Sequence, residues 1–259
     1  MIRVKQGWWK DFFDKTYLIT DRRTVDNPKV TMLEVDLIER LLRPRRESRI
    51  IDFCGGQGRH AIELARRGYG DLTVIDFSRF LIAQGKKAAR KKGVPVRFYH
   101  RDARSTGFPA KAFNCAVLMA NSFGYFVEKK NDRRLLKEVY RVLAPGGRLL
   151  LDIADAQYIR RNLAPRSWHE ADEDVIVCRV RDIGPDCVKA REVAISKKKG
   201  LLKDKTYCTR LYGKDEIRGL LKRCGFSRVT IKRHGGLRIQ KGDYGFLSAR
   251  LFILAQKQR

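Results

Sequence analysis

The sequence predicts an α/β protein: a doubly wound, mostly parallel sheet of seven strands that ends in an antiparallel strand. Three observations predict it. Short apolar runs alternate with helical patterns between residues 49 and 155, as in a parallel sheet covered on both faces. A glycine-rich turn, Gly55-Gly56-Gln57-Gly58, separates the first run from the first helix of that alternation. Three runs carry an aspartate at or just past their C-terminal ends: Asp52, Asp76 and Asp102.

The elements follow in order. Residues 7–18 place Trp9, Phe12, Phe13 and Tyr17 near helical spacing, so one aromatic-faced helix is predicted. It reads either as a packed helix or as a lid over a cleft, with Tyr17 facing a ligand. Asp26-Asn27-Pro28 signals a helix start. Val30, Leu33, Leu37, Leu41 and Leu42 give that helix an apolar face, and Pro44 ends it. Strands are then predicted over 49–53, 72–75 (reaching Asp76), 96–99, 115–120 and 148–153. Helices are predicted over 59–67, 80–92 and 132–143, the last closed by Pro145-Gly146-Gly147. Crossovers in such a sheet are right-handed, and ligands bind beyond the carboxyl ends of the strands near the switch in strand order.

After Asp155 the pattern changes. A short helix over 158–162 precedes alternating runs over 175–181, 187–195 and 205–211, separated by Gly184-Pro185 and Gly200. They predict a small antiparallel unit, with Lys197-Lys198-Lys199-Gly200 at a hairpin tip. A helix over 214–224 stops at Gly225, and runs over 228–233 and 246–255 form a final antiparallel pair. The expected division is a helical lid (1–48), a ligand-binding core (49–155), a β-rich cap over the substrate (156–212) and a closing segment (213–259).

Composition narrows the class. The 259 residues are 43% hydrophobic, enough for a sizeable core. No apolar run reaches the length of a membrane span, and the start, with Trp8, Trp9 and charges, does not read as a secretory signal. The six cysteines form no CxxC pair and no zinc spacing, so reduced thiols and a cytoplasmic location are expected, with no metal. Lys and Arg number 57 against 29 Asp and Glu, a net charge of +28. Residues 189–259 hold 20 basic and 5 acidic side chains. Such a field attracts polyanions. No dense basic arm or aromatic–basic stacking platform accompanies it, so a nucleic-acid partner is not favoured over a solvated basic surface.

The turn admits two ligand classes. Gly56-x-Gly58-x-x-Ala61, with Asp76 twenty residues after Gly56, loosely matches a dinucleotide fingerprint. Asp52-Phe53-Cys54-Gly55-Gly56-Gln57-Gly58-Arg59-His60 resembles the first motif of the class I S-adenosylmethionine (SAM)-dependent methyltransferases, D-x-G-x-G-x-G, with Cys54 where the first glycine stands. It follows more closely the D-[LF]-[CG]-C-G-x-G-R-H form of a bacterial and archaeal subgroup, with Gly55 in place of the cysteine. Phe113-Asn114-Cys115-Ala116-Val117 resembles that family's F-D-x-V, and Leu143-Ala144-Pro145-Gly146-Gly147 its L-K-P-G-G. Asn121 to Phe126, Arg161-Asn162 and Arg166-Ser167-Trp168-His169 resemble the same subgroup. A looser likeness to sugar-amine N-methyltransferases, which also insert β-structure, covers the cap.

The resemblance implies a Rossmann-like fold, SAM as cofactor and S-adenosylhomocysteine as product. It implies cofactor contacts from Tyr17, Asp52, Cys54, Gly55, Gly56, Gly58, Arg59, Asp76, Phe77, Asp102, Ala103 and Ala120. Among these Asp76 holds the ribose hydroxyls, Phe77 walls the adenine, Asp102 with Ala103 reads the adenine edge, and Arg59 meets a carboxylate. Acceptor contacts fall to Asn121, Trp168, Tyr158 and Arg166. A nitrogen acceptor needs mainly alignment; a hydroxyl also needs a base, for which His169, Tyr125 and His60 are candidates.

The expected activity is methyl transfer to the N or O of a small molecule, by a monomer or homodimer. The alternatives are an RNA methyltransferase and a non-catalytic SAM-binding protein. Against the RNA reading, strand four ends Ala120-Asn121-Ser122-Phe123 rather than in an N-P-P-Y motif, and no cysteine stands just after that strand, where a pyrimidine C5 enzyme would need its nucleophile, because Cys115 opens it.

Overall fold

A computed structural model describes residues 2–235 and 245–258. The segment 236–244, which joins the two final strands, lies outside the described residues. The chain opens with three short helices, α1 (Trp9–Phe12), α2 (Lys15–Thr20) and α3 (Arg22–Val25), followed by the long α4 (Pro28–Leu42). The single helix expected over 7–18 is broken. Asp14 caps a new helix by accepting the amides of Thr16 and Tyr17 at 2.8 and 3.1 Å, which restarts the chain in another direction. Helix α4 starts as its sequence predicts: Asn27 Oδ1 accepts the amides of Lys29 and Val30, and Pro28 occupies the first turn.

The core alternates as expected: β1 (Ile50–Phe53), α5 (Arg59–Arg66), β2 (Leu72–Asp76), α6 (Arg79–Lys91), β3 (Val96–His100), β4 (Phe113–Leu118), α7 (Lys129–Val142) and β5 (Leu143–Ala154). Strand β4 stops short of the predicted Ala120, because Ala120 and Asn121 turn in the left-handed region at φ 56° and 58°. After α8 (Ala156–Asn162) come β6 (Arg166–Glu170), β7 (Val175–Ile183), β8 (Cys187–Ser196) and β9 (Gly200–Arg210), then α9 (Lys214–Arg223), β10 (Phe226–Gly235) and β11 (Ala249–Lys257).

Seven strands form one sheet in the order β10-β11-β5-β4-β1-β2-β3, with β11 antiparallel to both neighbours. The order reverses at β1, which pairs with β2 on one side and β4 on the other. Both faces are covered. Val35, Ile38, Ile62, Leu64 and Ile82 from α4, α5 and α6 pack on one face; Leu135, Leu136, Val139, Ile217 and Leu221 from α7 and α9 pack on the other.

The remaining strands form a separate antiparallel sheet, β6-β7-β8-β9. Its first strand was not anticipated. Along β6, Ser167 and His169 are half-buried while Arg166, Trp168 and Glu170 are exposed, the period-two alternation of a strand. Trp168, 70% exposed, therefore points away from the core.

Candidate active site

The site begins at the C-terminal end of β1. Cys54 adopts φ 52°, a left-handed backbone that disfavours any side chain, yet it lines the cleft rather than closing it. Gly58 caps α5 at φ 70°, and a Cβ there would lie 2.5 Å from the Phe98 ring. A Cβ at Gly55 would lie 2.7 Å from the Asp52 carboxylate.

The three strand-end acids converge. Asp52, Asp76 and Asp102 all line one cleft of about 1000 Å³, together with Gly55, Gly56 and Arg59. Asp76 accepts the Gly56 amide at 2.9 Å and the Ser78 amide at 2.7 Å; burial raises its pKa. Asp52 is 3% exposed and its Oδ2 has no hydrogen bond. Burial pushes its pKa up to about 8, against the pull of Arg59. At Asp102 burial also acts upward, but hydrogen bonds from Arg104 outweigh it and hold the carboxyl below its ordinary value.

The N-terminal helices wall this cleft. Trp9 meets Phe77 edge to face at 4.7 Å, and Phe77 meets His100 at 5.3 Å. Ser78 Oγ donates to the Phe13 carbonyl at 2.6 Å, and Gln57 Nε2 to the Val25 carbonyl at 2.9 Å. Helix α4 contributes Glu34, fully buried, which pairs with Arg59 and lies 2.8 Å from His60 Nε2. Burial would raise Glu34, but Arg59 and Arg250 overcome it and hold the carboxyl well below its usual range.

A second cavity, of about 940 Å³, adjoins the first. Phe13, Tyr17, Val25, Ala120 and Tyr125 line both. Its far wall is the inward face of β7, β8 and β9, with Arg179, Glu192 and Tyr207. Arg179 Nε donates to Glu192 at 2.6 Å, Lys203 pairs with Glu192 at 3.0 Å, and Asp21, between α2 and α3, approaches Arg179 at 3.4 Å. His169 reaches the cavity from β6, 3.4 Å from the Thr20 carbonyl. Burial, then Arg179 and Arg23, lower its pKa, so the ring is neutral near pH 7. Burial holds the Tyr125 phenol well above its ordinary value.

Residues 50–147 match the family described as "Methyltransferase domain". The chain is an S-adenosylmethionine-dependent methyltransferase. The Bacillus subtilis (strain 168) protein YqeM, provisionally named a methyltransferase, is 29% identical over 222 residues, 82% of this chain and 85% of its own length. The demethylmenaquinone methyltransferase of Thermus thermophilus is 38% identical over 104 residues, only 40% of this chain and 46% of that one. Among solved structures, a SAM-dependent methyltransferase from Clostridium acetobutylicum superposes with a TM-score of 0.73 at 16% identity, covering 94% of this chain and 97% of that one. The sugar N-methyltransferase KedS8 from a Streptoalloteichus species gives 0.66 at 16% identity, covering 100% and 99%.

SAM is the cofactor of this methyltransferase, and the cleft fits it: a buried Asp52 carboxyl oxygen with no hydrogen bond and a second acid, Asp76, line it beside the glycine turn, able to take the polar groups of a nucleoside. Of the residues expected to meet the cofactor, Tyr17, Asp52, Cys54, Gly55, Gly56, Arg59, Asp76, Phe77, Asp102, Ala103 and Ala120 line this cleft, whereas Gly58 packs against Phe98 and Val74. The residues expected to meet the acceptor are not brought together. Trp168 and Arg166 lie on the exposed side of β6, and Tyr158 packs against the cluster of Ile159 and Leu163, so none of the three lines either cavity. Asn121 does line the second cavity, but its Oδ1 is engaged with the Ala154 amide at 2.9 Å. His60, a candidate base, is 4% exposed and held by Glu34. Arg179, Glu192 and Asp21 were not singled out from sequence, because each is an ordinary charge until the fold turns it inward.

Proposed function

We propose that this methyltransferase transfers a methyl group to a nitrogen or oxygen of a small molecule seated in the second cavity. The observation that carries the reading is the junction of the two cavities across Tyr17, Ala120 and Tyr125. SAM supplies an activated methyl on a sulfonium. The chain's own residues then mainly hold and align, and alignment is worth about 7–11 kcal/mol of the barrier. In this reading Asp76 accepts the ribose hydroxyls, Trp9 and Phe77 flank the adenine, and Asp102 with the Ala103 amide reads its edge. Asp52 and the amides of the glycine turn face the amino-acid end. Arg59, already paired with Glu34, meets a carboxylate only as a shared charge.

Residues 156–212 serve as the cap over the acceptor. His169, neutral near pH 7, is the group able to take a proton from a hydroxyl acceptor. Tyr125 keeps its proton and so orients rather than deprotonates. KedS8 is named as a sugar N-methyltransferase, which supports a small polar acceptor, as does the enclosed, mixed-charge wall of Arg179, Glu192 and Asp21.

The test supplies SAM labelled in its methyl group with a panel of small amines and alcohols, and separately with bulk tRNA. Label in the small-molecule fraction is expected. Label recovered only in RNA overturns the reading in favour of an RNA methyltransferase, and binding of SAM with no transfer in any arm favours a non-catalytic protein.

A further inference from the structure

A chain of buried charges runs beneath the junction of the two cavities. Ala120, which lines both cavities, and Asn121, which lines the second, are consecutive residues at φ 56° and 58°, a left-handed conformation that is costly for alanine and more readily adopted by asparagine. The Ala120 amide donates to Asp152 Oδ2 at 2.6 Å. Asp152 is held by Arg250, whose Nε donates to Oδ1 at 2.8 Å and whose second guanidinium nitrogen meets Oδ2. The third nitrogen of Arg250 donates to Glu34 of α4, which also holds Arg59 and His60 at the start of α5. Arg250, Asp152 and Glu34 are each 1% exposed or less. Two acids thus balance two guanidinium groups, and removal of any one leaves a charge buried without its partner.

We propose that Arg250 is a positioning residue for methyl transfer: through Asp152 it keeps the Ala120–Asn121 turn wound at the point where donor and acceptor cavities meet, and through Glu34 it ties that turn to the lid helix. The proposal rests on the assignment of the two cavities to donor and acceptor. Arg250 touches neither cavity, so its effect is transmitted. The link is geometric: β11 runs antiparallel to β5 with Phe252 opposite Asp152 and Arg250 opposite Ala154, which puts the guanidinium beside the tip of β5 and next to β4. Asn121 locks the same turn from its other side through the Ala154 amide, so both left-handed residues are fixed by β5.

The experiment is hydrogen–deuterium exchange of the full chain without ligand, with calorimetry of S-adenosylhomocysteine binding alongside. Arg250→Lys keeps one charge but cannot bridge two carboxylates as a planar fork does. It is expected to speed exchange across residues 119–122 by about tenfold or more, the worth of a lost charge-assisted hydrogen bond. Exchange over residues 73–75 of β2 is expected to stay near that of the parent. Asp152→Asn, which keeps the shape and loses the charge, is expected to speed exchange in the same segment and serves if Arg250→Lys does not fold. Unchanged exchange over 119–122, or equal acceleration throughout the chain, overturns the proposal. Failure of the parent to bind S-adenosylhomocysteine would instead count against the donor-cleft assignment, which the ligand-free exchange pattern does not depend on.

Discussion

The carboxylate of Asp76 accepts the amide of Gly56 at 2.9 Å, so the tip of the second strand holds the glycine turn of the first. The same carboxylate takes the Ser78 amide and lines the cleft at the strand ends. Asp76→Ala removes the tie and the proposed ribose acceptor together. Each hydrogen bond to a charged group is worth about 1.5–3 kcal/mol, so affinity for SAM is expected to fall at least about 100-fold. Calorimetry with SAM measures it; an unchanged dissociation constant would remove Asp76 from the donor site.

Cys54 tests the backbone rather than the ligand. Its φ of 52° costs an L-residue roughly 1–2 kcal/mol, of which glycine's extra chain entropy offsets about 0.5–1. Cys54→Gly is therefore expected to raise stability by up to about 1.5 kcal/mol in urea unfolding and to leave SAM binding intact. A clear loss of stability would show that the thiol packs better than its backbone strain suggests.

The parallel core was legible because its signals are local. An apolar run, an acid and a turn lie within a few residues of one another, and parallel pairing brings every such tip to one edge. The antiparallel sheet was legible only in part. Val188 and Ala190 alternate with Lys189 and Arg191, whereas Arg166-Ser167-Trp168-His169-Glu170 has no apolar alternation to betray β6. The break at Asp14 was hidden inside an aromatic period. The acid–base pairs of the second cavity join residues as far apart as Asp21 and Arg179, and no spacing rule links them. Two signals were present and unused. Glu34 lies on the apolar stripe of α4 between Val30 and Ile38, and Arg250 interrupts the final apolar strand. A lone charge on a buried face implies a partner.

Asp52 makes stability depend on pH. Its pKa in the folded chain, pushed up to about 8 by burial, lies above the ordinary aspartate value of about 4. The folded chain keeps a proton that the unfolded chain sheds. The group's contribution is therefore full below the unfolded pKa and is lost as pH rises toward 8. Asp52→Asn stays neutral throughout, so it is expected to gain on the parent progressively from about pH 4, levelling off above the folded pKa. The gain should reach the order of a few kcal/mol. Urea midpoints measured across that range check it; a difference that does not vary with pH would mean that Asp52 is ionised in the fold.

The N-terminal helices offer a separation of binding from folding. Trp9 sits on a four-residue helix near the start of the chain, edge to face with Phe77 at 4.7 Å and Phe126 at 5.5 Å, with the Arg104 guanidinium 5.3 Å from its ring. The main sheet does not depend on it, whereas the cleft loses a wall without it. Each aromatic pair contributes about 0.5–1.5 kcal/mol beyond its buried area. Trp9→Ala is expected to weaken SAM binding by about tenfold while the urea midpoint moves little. Limited proteolysis should cut the variant within residues 2–20 sooner than the parent, and added S-adenosylhomocysteine should slow that cutting in the parent more than in the variant. Equal protection by the ligand in both proteins would show that the helix packs on the core without closing over the donor.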